Sequence, residues 1–324
     1  MNFAGPGKTE AELKYAIEHD IGSLSVESIS DFVRIKQIAS ELKRKVNILI
    51  RINPSRVPDK FAMKMGGRAT QFGIDEDELE IIIRAVLKSN NVQLFGFHIY
   101  SGTQCLDAAT IIENFSYTLQ LVEQLVKNYS LTVSRINLGG GFGIPYFTGN
   151  QPLILTTIAD ALPNLLNNFE KKINQKPKYI LELGRYIVGE AGYYLTSIVN
   201  KKISKGITYY ILDGGMHHNL SAAGYLGQIF KKNFMIKNIS HLSNCRHKVN
   251  LAGPLCTPLD IMAQGIELPD SEIGDIIVFF NSGAYAFSAS PLLFLSHETP
   301  KEVLYKNGNF ELIRPSFDIT KFNN

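Results

Sequence analysis

The feature that most constrains this chain is a change of rhythm near residue 194. Before it, short apolar runs alternate with amphipathic stretches. IGSLSVES (21–28) reads as a strand, and residues 29–44 as a helix. VNILIRINP (46–54) is a β-rich run stopped by Pro54. Residues 75–89 place apolar side chains at helical spacing behind an acidic first turn, which suits the helix dipole. VQLFGFHIYSG (92–102), SRINLGGGFG (134–143) and KYILELGRYIVG (178–189) read as further strands, separated by helices over 107–127 and 155–172. Strand–helix alternation at this pitch means βα units around a parallel sheet. The polar residues fall at the carboxyl ends of successive strands. That is where sites lie in a (β/α)8 barrel and equally in an open doubly wound sheet, so periodicity leaves both open.

After the change the runs are short and β-like: YLTSIVNKKI, TYYILDGG, HKVNLAGPLC, DIIVFFNSG, VLYKNG and FELIRP. Turn signals such as Asn307-Gly308 separate some of them. The expected organisation is an α/β domain over 1–193 and a mostly-β domain over 194–324, the latter with a cysteine loop and a closing helix.

Composition narrows the function classes. A net charge of +3, with both signs interspersed and no basic tract, gives no nucleic-acid surface. Three cysteines without metal-ligand spacing fit a reducing compartment and predict no metal site. The opening MNFAGPGKTEAEL has no basic segment leading into an apolar run, and no stretch reaches membrane-spanning length without charges. The expectation is a cytoplasmic protein with no membrane partner.

Five short motifs carry chemistry. Gly139-Gly140-Gly141-Phe142-Gly143, at a strand end, serves phosphate binding through backbone N–H groups and a tight turn equally well. His98-Ile99-Tyr100-Ser101-Gly102 offers a ring that can stack on a flat cofactor and a hydroxyl that can donate to phosphate. Glu182-Leu183-Gly184-Arg185 pairs an acid and a base, either as a structural ion pair or as partners of a pyridinium nitrogen and a phosphate. Gly253-Pro254-Leu255-Cys256-Thr257-Pro258-Leu259-Asp260 sets a thiol in a polar loop, as inert packing or as a proton donor. Ser282-Gly283-Ala284-Tyr285 brings a phenol that can reach a phosphate or cap the core. Asp213-Gly214-Gly215 reads as a turn.

Taken in order, FHIYSG, GGGFG, ELGR, DGG, GPLCTPLD and GAY resemble the pyridoxal-phosphate-dependent diaminopimelate, ornithine and arginine decarboxylases. These have an alanine-racemase-like TIM-type barrel and a β-rich domain. The resemblance implies pyridoxal 5'-phosphate as cofactor and assigns roles. His98 stacks on the ring; Ser101, Gly139, Gly140, Gly141, Gly184, Arg185 and Tyr285 meet the phosphate; Glu182 partners the ring nitrogen. Cys256 reprotonates the α-carbon after carbon dioxide leaves, and Thr257 and Asp260 face the substrate. In the family that cysteine loop enters the partner subunit's active site, which implies a homodimer.

Departures from the family pattern shape the substrate expectation. Leu183 replaces a proline. Thr257 stands where an acid often holds a distal ammonium, and Ser221 where an arginine holds the distal carboxylate of diaminopimelate. A charged tail without a partner is costly to bury, so diaminopimelate, free ornithine and free lysine are disfavoured. KMGG (64–67), QFGID (71–75), HIYSGTQ and GPLCTPLD resemble the carrier-protein-linked glutamate decarboxylases and the decarboxylases found with exosortase systems, so a carrier protein is a candidate partner. The family's Tyr-Ala-x-Lys-Ala-Asn-like motif, which bears the Schiff-base lysine, does not occur in these 324 residues. FAGPGKTEAEL resembles the family's third barrel strand and its helix, which implies two earlier βα units, and Lys8 is a poor substitute for the missing lysine. The alternatives are a catalytically inactive homologue with a binding or regulatory role, a fragment of a split gene, and, within the same fold, a racemase.

Overall fold

The structure, a computed structural model, describes residues 1–226, 231–241 and 245–317. It divides into two compact units, residues 1–143 with 152–183, and residues 144–151 with 184–324.

The first unit strings together β1 (Asn2–Phe3), α1 (Glu10–Glu18), β2 (Ser23–Val26), α2 (Ile29–Glu41), β3 (Val46–Asn53), β4 (Met63–Lys64), β5 (Ile74–Asp75), α3 (Leu79–Leu87), β6 (Val92–Ile99), β7 (Gly102–Thr103), α4 (Ala108–Tyr129), β8 (Arg135–Gly140), α5 (Leu155–Ile173) and β9 (Lys178–Glu182). The main strands pair in parallel in the order β1-β2-β3-β6-β8-β9, with β5 beside β3, and β4 pairs antiparallel with β7. Consecutive parallel strands with a helix in each crossover form the sheet of a (β/α) barrel laid open, with β1 and β9 at its two edges. β2, β3 and β6 are buried almost throughout, as expected where helices cover a parallel sheet. β9, at an edge, is half-buried to exposed.

Local signals set the helix starts. Thr9 closes a capping box with Glu12 before α1, Ser28 caps α2, and Asp107 caps α4 while also accepting from the Thr110 hydroxyl. Two buried ion pairs tie the loops near the ends of β1, β2 and β3: Lys8–Asp31 at 2.8 Å and Arg51–Glu27 at 2.9 Å.

The second unit opens with α6 (Gly184–Val188), followed by β10 (Tyr194–Ser204), β11 (Ile207–Leu212), β12 (Ile236–Asn238), β13 (Arg246–Ala252), β14 (Ile261–Pro269), β15 (Ile276–Phe279), β16 (Glu302–Lys306) and β17 (Asn309–Arg314). Its main sheet runs β12-β15-β10-β11-β13-β14, antiparallel except for the β11–β13 pair. Tyr210, Leu212, Leu251, Met262 and Phe279 fill its core, and Ile144 and Tyr146 belong to that cluster. Among the described residues, β16 and β17 pair only with each other around Asn307-Gly308. Where the sequence expects a closing helix, the described residues hold two single 3-10 turns, Phe287–Ala289 and Phe294–Ser296.

Two sequence expectations need correction. The strand read over 178–189 stops at Glu182, and Gly184–Val188 turns helical. The β-propensity of Tyr-Ile-Val is overridden by packing, because Ser282 and Gly283 donate to the Gly192 and Gly189 carbonyls and close the chain into a turn there. The run IMAQGIELP, not read as a strand, is β14 and pairs with β13 through two irregularities in register. Among the described residues no helix is long and apolar enough to cross a membrane.

Candidate active site

The candidate residues fall into three groups. The first lies at the carboxyl ends of β6, β8 and β9, which are neighbours in the sheet. His98 is 1% exposed. Asn2 Nδ2 donates to Ser25 Oγ at 3.0 Å, and that oxygen lies 3.0 Å from His98 Nδ1. The Ser25 hydroxyl thus bridges Asn2 and His98 Nδ1, fixing the orientation of the ring. Among the described residues Nε2 has no hydrogen-bond partner; Glu182 Oε1 stands 3.5 Å away, too far for a firm bond. Burial, reinforced by the Arg51 guanidinium, pushes the imidazole down to about 3, so the ring is neutral at physiological pH.

Glu182 is itself positioned. Asn137 donates to its Oε1 at 2.7 Å while accepting from the Gly139 amide at 2.9 Å. The glycine run packs too closely for side chains. A Cβ at Gly139 would lie 2.5 Å from the Ile99 carbonyl oxygen, at Gly140 1.9 Å from that of Glu182, and at Gly141 2.2 Å from that of Gly102. Gly139 and Gly141 also sit at positive φ. Both readings of the run thus have support: the turn demands glycine, and the loop lies against the segment that carries Ser101. The Gly139 amide is already engaged by Asn137. The Ser101 hydroxyl is buried and has no partner.

The second group is in the other unit. The Arg185 guanidinium lies 4.5 Å from the Tyr285 ring centroid and donates to the Tyr146 hydroxyl at 2.9 Å. Its Nε is buried without a partner. Tyr285 follows a turn stitched to the end of α6: a Cβ at Gly283 would strike the Val188 carbonyl oxygen at 1.8 Å. A Cβ at Gly184 would meet open space.

The third group is the loop 253–260. Cys256 is exposed and its neighbour Thr257 half-buried. Asp260 is 2% exposed, and its two carboxylate oxygens accept from the Met216 and Leu255 amides. A buried carboxylate is held by the donors around it, and here these are backbone N–H groups.

Sequence reasoning missed Ser25, Arg51 and Asn137. Each is a buried polar residue inside an apolar strand, in SLSV, ILIRIN and RINL. A lone polar residue in such a run is the signal that would have found them. Lys8 is 3% exposed, donates to the Gly5 carbonyl at 2.6 Å and pairs with Asp31 at 2.8 Å, so its ammonium is held in a buried ion pair.

Within the first unit the residues suit a planar, phosphorylated ligand: His98 Nε2 and Ser101 Oγ are buried and unpartnered among the described residues, and a glycine loop lies beside Ser101. Polar residues gathered at the carboxyl ends of parallel strands are the arrangement in which (β/α) barrels place active sites. Comparison with known proteins narrows the family. The model of the pyridoxal-dependent decarboxylase pyridoxal-binding domain matches residues 1–189. L-glutamyl-[BtrI acyl-carrier protein] decarboxylase of Niallia circulans is 36% identical over 96% of this chain and 74% of its own. 2-[(L-alanin-3-ylcarbamoyl)methyl]-2-hydroxybutanedioate decarboxylase of Staphylococcus aureus is 30% identical over 92% of this chain and 75% of its own. The crystal structure of diaminopimelate decarboxylase from Methanocaldococcus jannaschii superposes with a TM-score of 0.89 at 29% identity, covering 98% of this chain and 72% of that one. The chain belongs to the pyridoxal-dependent decarboxylase family, lyases whose cofactor is pyridoxal phosphate.

Proposed function

We propose that the chain acts in the decarboxylation of the α-carboxylate of an amino-acid derivative, with pyridoxal phosphate held by the residues described above. The observation that carries this reading is the pair of buried, unpartnered polar atoms at the end of β6, His98 Nε2 and Ser101 Oγ, beside the Gly139–Gly141 turn. Pyridoxal phosphate, when bound, supplies a ring that accepts the electron pair released as carbon dioxide departs.

In the first unit, His98 presents a neutral ring face, and Glu182, oriented by Asn137, holds a proton at the pyridine nitrogen. Ser101 and the glycine loop meet phosphate oxygens. In the second unit, the Arg185 guanidinium lies beside the Tyr285 ring with open space at Gly184, and the family resemblance assigns both side chains to the phosphate. Cys256 delivers the proton to the α-carbon, in a homodimer in which the loop serves the partner's site. Thr257 and Ser221 replace the charged groups that would read a free ammonium or carboxylate tail. Together with the likeness to a decarboxylase acting on L-glutamyl acyl-carrier protein, this favours a substrate whose distal end is masked, delivered by a carrier protein in the cytoplasm.

The test is a titration of the purified chain with pyridoxal phosphate, followed by visible absorption, with inorganic phosphate as competitor and borohydride fixation before peptide mass spectrometry. Saturable binding displaced by phosphate is expected, and borohydride labelling would identify any lysine within residues 1–324 that anchors the cofactor. Absence of binding at millimolar cofactor would overturn the reading. Release of carbon dioxide from a carrier-bound L-glutamyl thioester, compared with free L-glutamate, tests the masked tail.

A further inference from the structure

Asp260 does more than fill space. Its Oδ1 accepts from the Met216 amide at 2.7 Å and its Oδ2 from the Leu255 amide at 2.9 Å. Its own carbonyl accepts from the Gly253 amide at 2.9 Å, and its own amide donates to the Thr257 carbonyl at 3.2 Å. Residues 253–260 thus form a loop closed at its base, with the exposed Cys256 between the two ends. Tyr225 adds a bond from its hydroxyl to the Leu259 carbonyl at 2.7 Å. The carboxylate occupies the space that side chains would take at two glycines: a Cβ at Gly215 would lie 2.3 Å from Oδ1, and at Gly253 2.2 Å from Oδ2. Gly215 and Gly253 are therefore required by this one side chain.

We propose that Asp260 is a positioning residue for Cys256. Its carboxylate ties the amide of the residue before the cysteine to the amide that follows the Asp213–Gly215 turn, and so sets how the thiol is presented. The part of this inference that concerns the reaction rests on the proposed role of Cys256 as proton donor; the clamp itself does not. Two amide donors require two acceptors. Asparagine offers one and turns its own N–H toward the other amide, and glutamate is a methylene too long for a space already bounded by two glycines.

The experiment compares the wild-type chain with Asp260→Asn and Cys256→Ser. In the wild type, hydrogen exchange at the Leu255 and Met216 amides is expected to be slow for loop positions; free-loop exchange at both would overturn the clamp without any variant. In D260N, peptides covering 213–218 and 253–260 are expected to exchange at least tenfold faster, with Arg246–Ala252 and Ile276–Phe279 unchanged. Iodoacetamide labelling of Cys256 should accelerate about threefold relative to the exposed Cys245 in the same molecule. Wild-type exchange together with wild-type labelling in D260N would sink the proposal. C256S leaves both amide bonds in place and should keep the wild-type exchange pattern. If decarboxylation is measurable, D260N should lower kcat with KM unchanged. A C256S chain with undiminished kcat would refute the proton-donor role while leaving the clamp standing.

Discussion

Each unit buries a histidine, and the two are buried in different ways. His98 stands on a parallel strand, with Ser25 of the next strand but one supplying a partner for Nδ1 and Glu182 facing Nε2 at 3.5 Å. His217 stands in the turn region after Asp213-Gly214-Gly215, fully buried, with no hydrogen-bond partner at either ring nitrogen among the described residues. It is packed instead against the rings of His218 at 4.0 Å and His297 at 5.2 Å. A strand holds its polar residue in register with neighbours that can answer it. A loop must be assembled around its polar residue by contacts made one at a time. The first unit therefore places chemistry by topology, and the second by individual staples such as Asp260 and the 282–283 turn.

The sharpest way to probe this contrast is to insert one methyl group at a tight backbone contact in each unit. Gly140→Ala puts a Cβ 1.9 Å from the Glu182 carbonyl oxygen, and Gly283→Ala puts one 1.8 Å from that of Val188. Both contacts are with backbone, so neither can be relieved by a rotamer change. Losses of about 4–5 kcal/mol are expected, the level that marks exceptional substitutions. Urea midpoints give the magnitude. Hydrogen exchange locates it, over 135–182 for G140A and over 184–192 and 276–283 for G283A. A G140A chain of normal stability would show that the β8–β9 approach is looser than described.

Next in size is the buried pair Arg51–Glu27. Arg51→Met leaves Glu27, 5% exposed, with the Gly5 amide at 2.7 Å as its main remaining donor. Stranding a buried charge costs about 3–5 kcal/mol, and the surviving amide bond places this case near the lower end. The double variant Arg51→Met with Glu27→Leu should recover much of the loss, as replacing a whole buried pair often does. Failure to recover would mean that Glu27 has a task besides pairing.

How far the sequence reveals this architecture follows the same division. The first unit's strands and helices were legible because apolar runs and amphipathic periods alternate, and His98, Ser101, the glycine run and Glu182 stand at strand ends where such a fold collects its chemistry. The end of β9 was not, since Tyr186, Ile187 and Val188 favour a strand locally and only contact with residues 282–283 turns them. In the second unit, Cys256 was legible as a motif, but the fate of Asp260 was not. Nothing in Pro258-Leu259-Asp260 tells that Met216, 44 residues away, will use its carboxylate. Ser25, Arg51 and Asn137 fall between these cases, visible as polar interruptions of apolar runs but mute as to their partners.

The two histidines also predict how stability changes with pH. Burial pushes both down to about 3 from an ordinary value of 6.5, and His218 shifts in the same direction. Above pH 6.5 the rings are neutral whether the chain is folded or not, and the stabilisation is fully present. As pH falls from 6.5 toward 3, the unfolded chain takes up protons that the folded chain refuses, and stability is lost. The cost is about 1.4 kcal/mol per pH unit for each such group. His98→Asn and His217→Asn should each remove about one group's share from the slope of urea midpoint against pH between 6 and 4.5. An unchanged slope in H98N would mean that the ring is protonated in the fold, with Glu182 as its counter-ion.

The smallest effect is expected where neither topology nor a staple is at work. β16 and β17 pair only with each other, and Val303, Tyr305, Phe310, Leu312 and Ile313 are all exposed. The hairpin is held by its ladder, by the Arg314–Glu302 ion pair at 2.8 Å, and by a turn in which Asn307 and Gly308 sit at φ of 52° and 82°. Isolated two-stranded hairpins are marginal, so this one should open independently of the core. Asn307→Ala keeps a β-carbon in the left-handed region but removes the short polar side chain that makes this conformation tolerable for Asn, at a cost of about 1 kcal/mol. Because 1.4 kcal/mol is about tenfold in an opening equilibrium, amides over 302–314 should exchange about fivefold faster while the urea midpoint stays put. A midpoint that falls with the hairpin would show that these strands share in the cooperative unit, and that their exposed apolar residues have partners in the folded molecule.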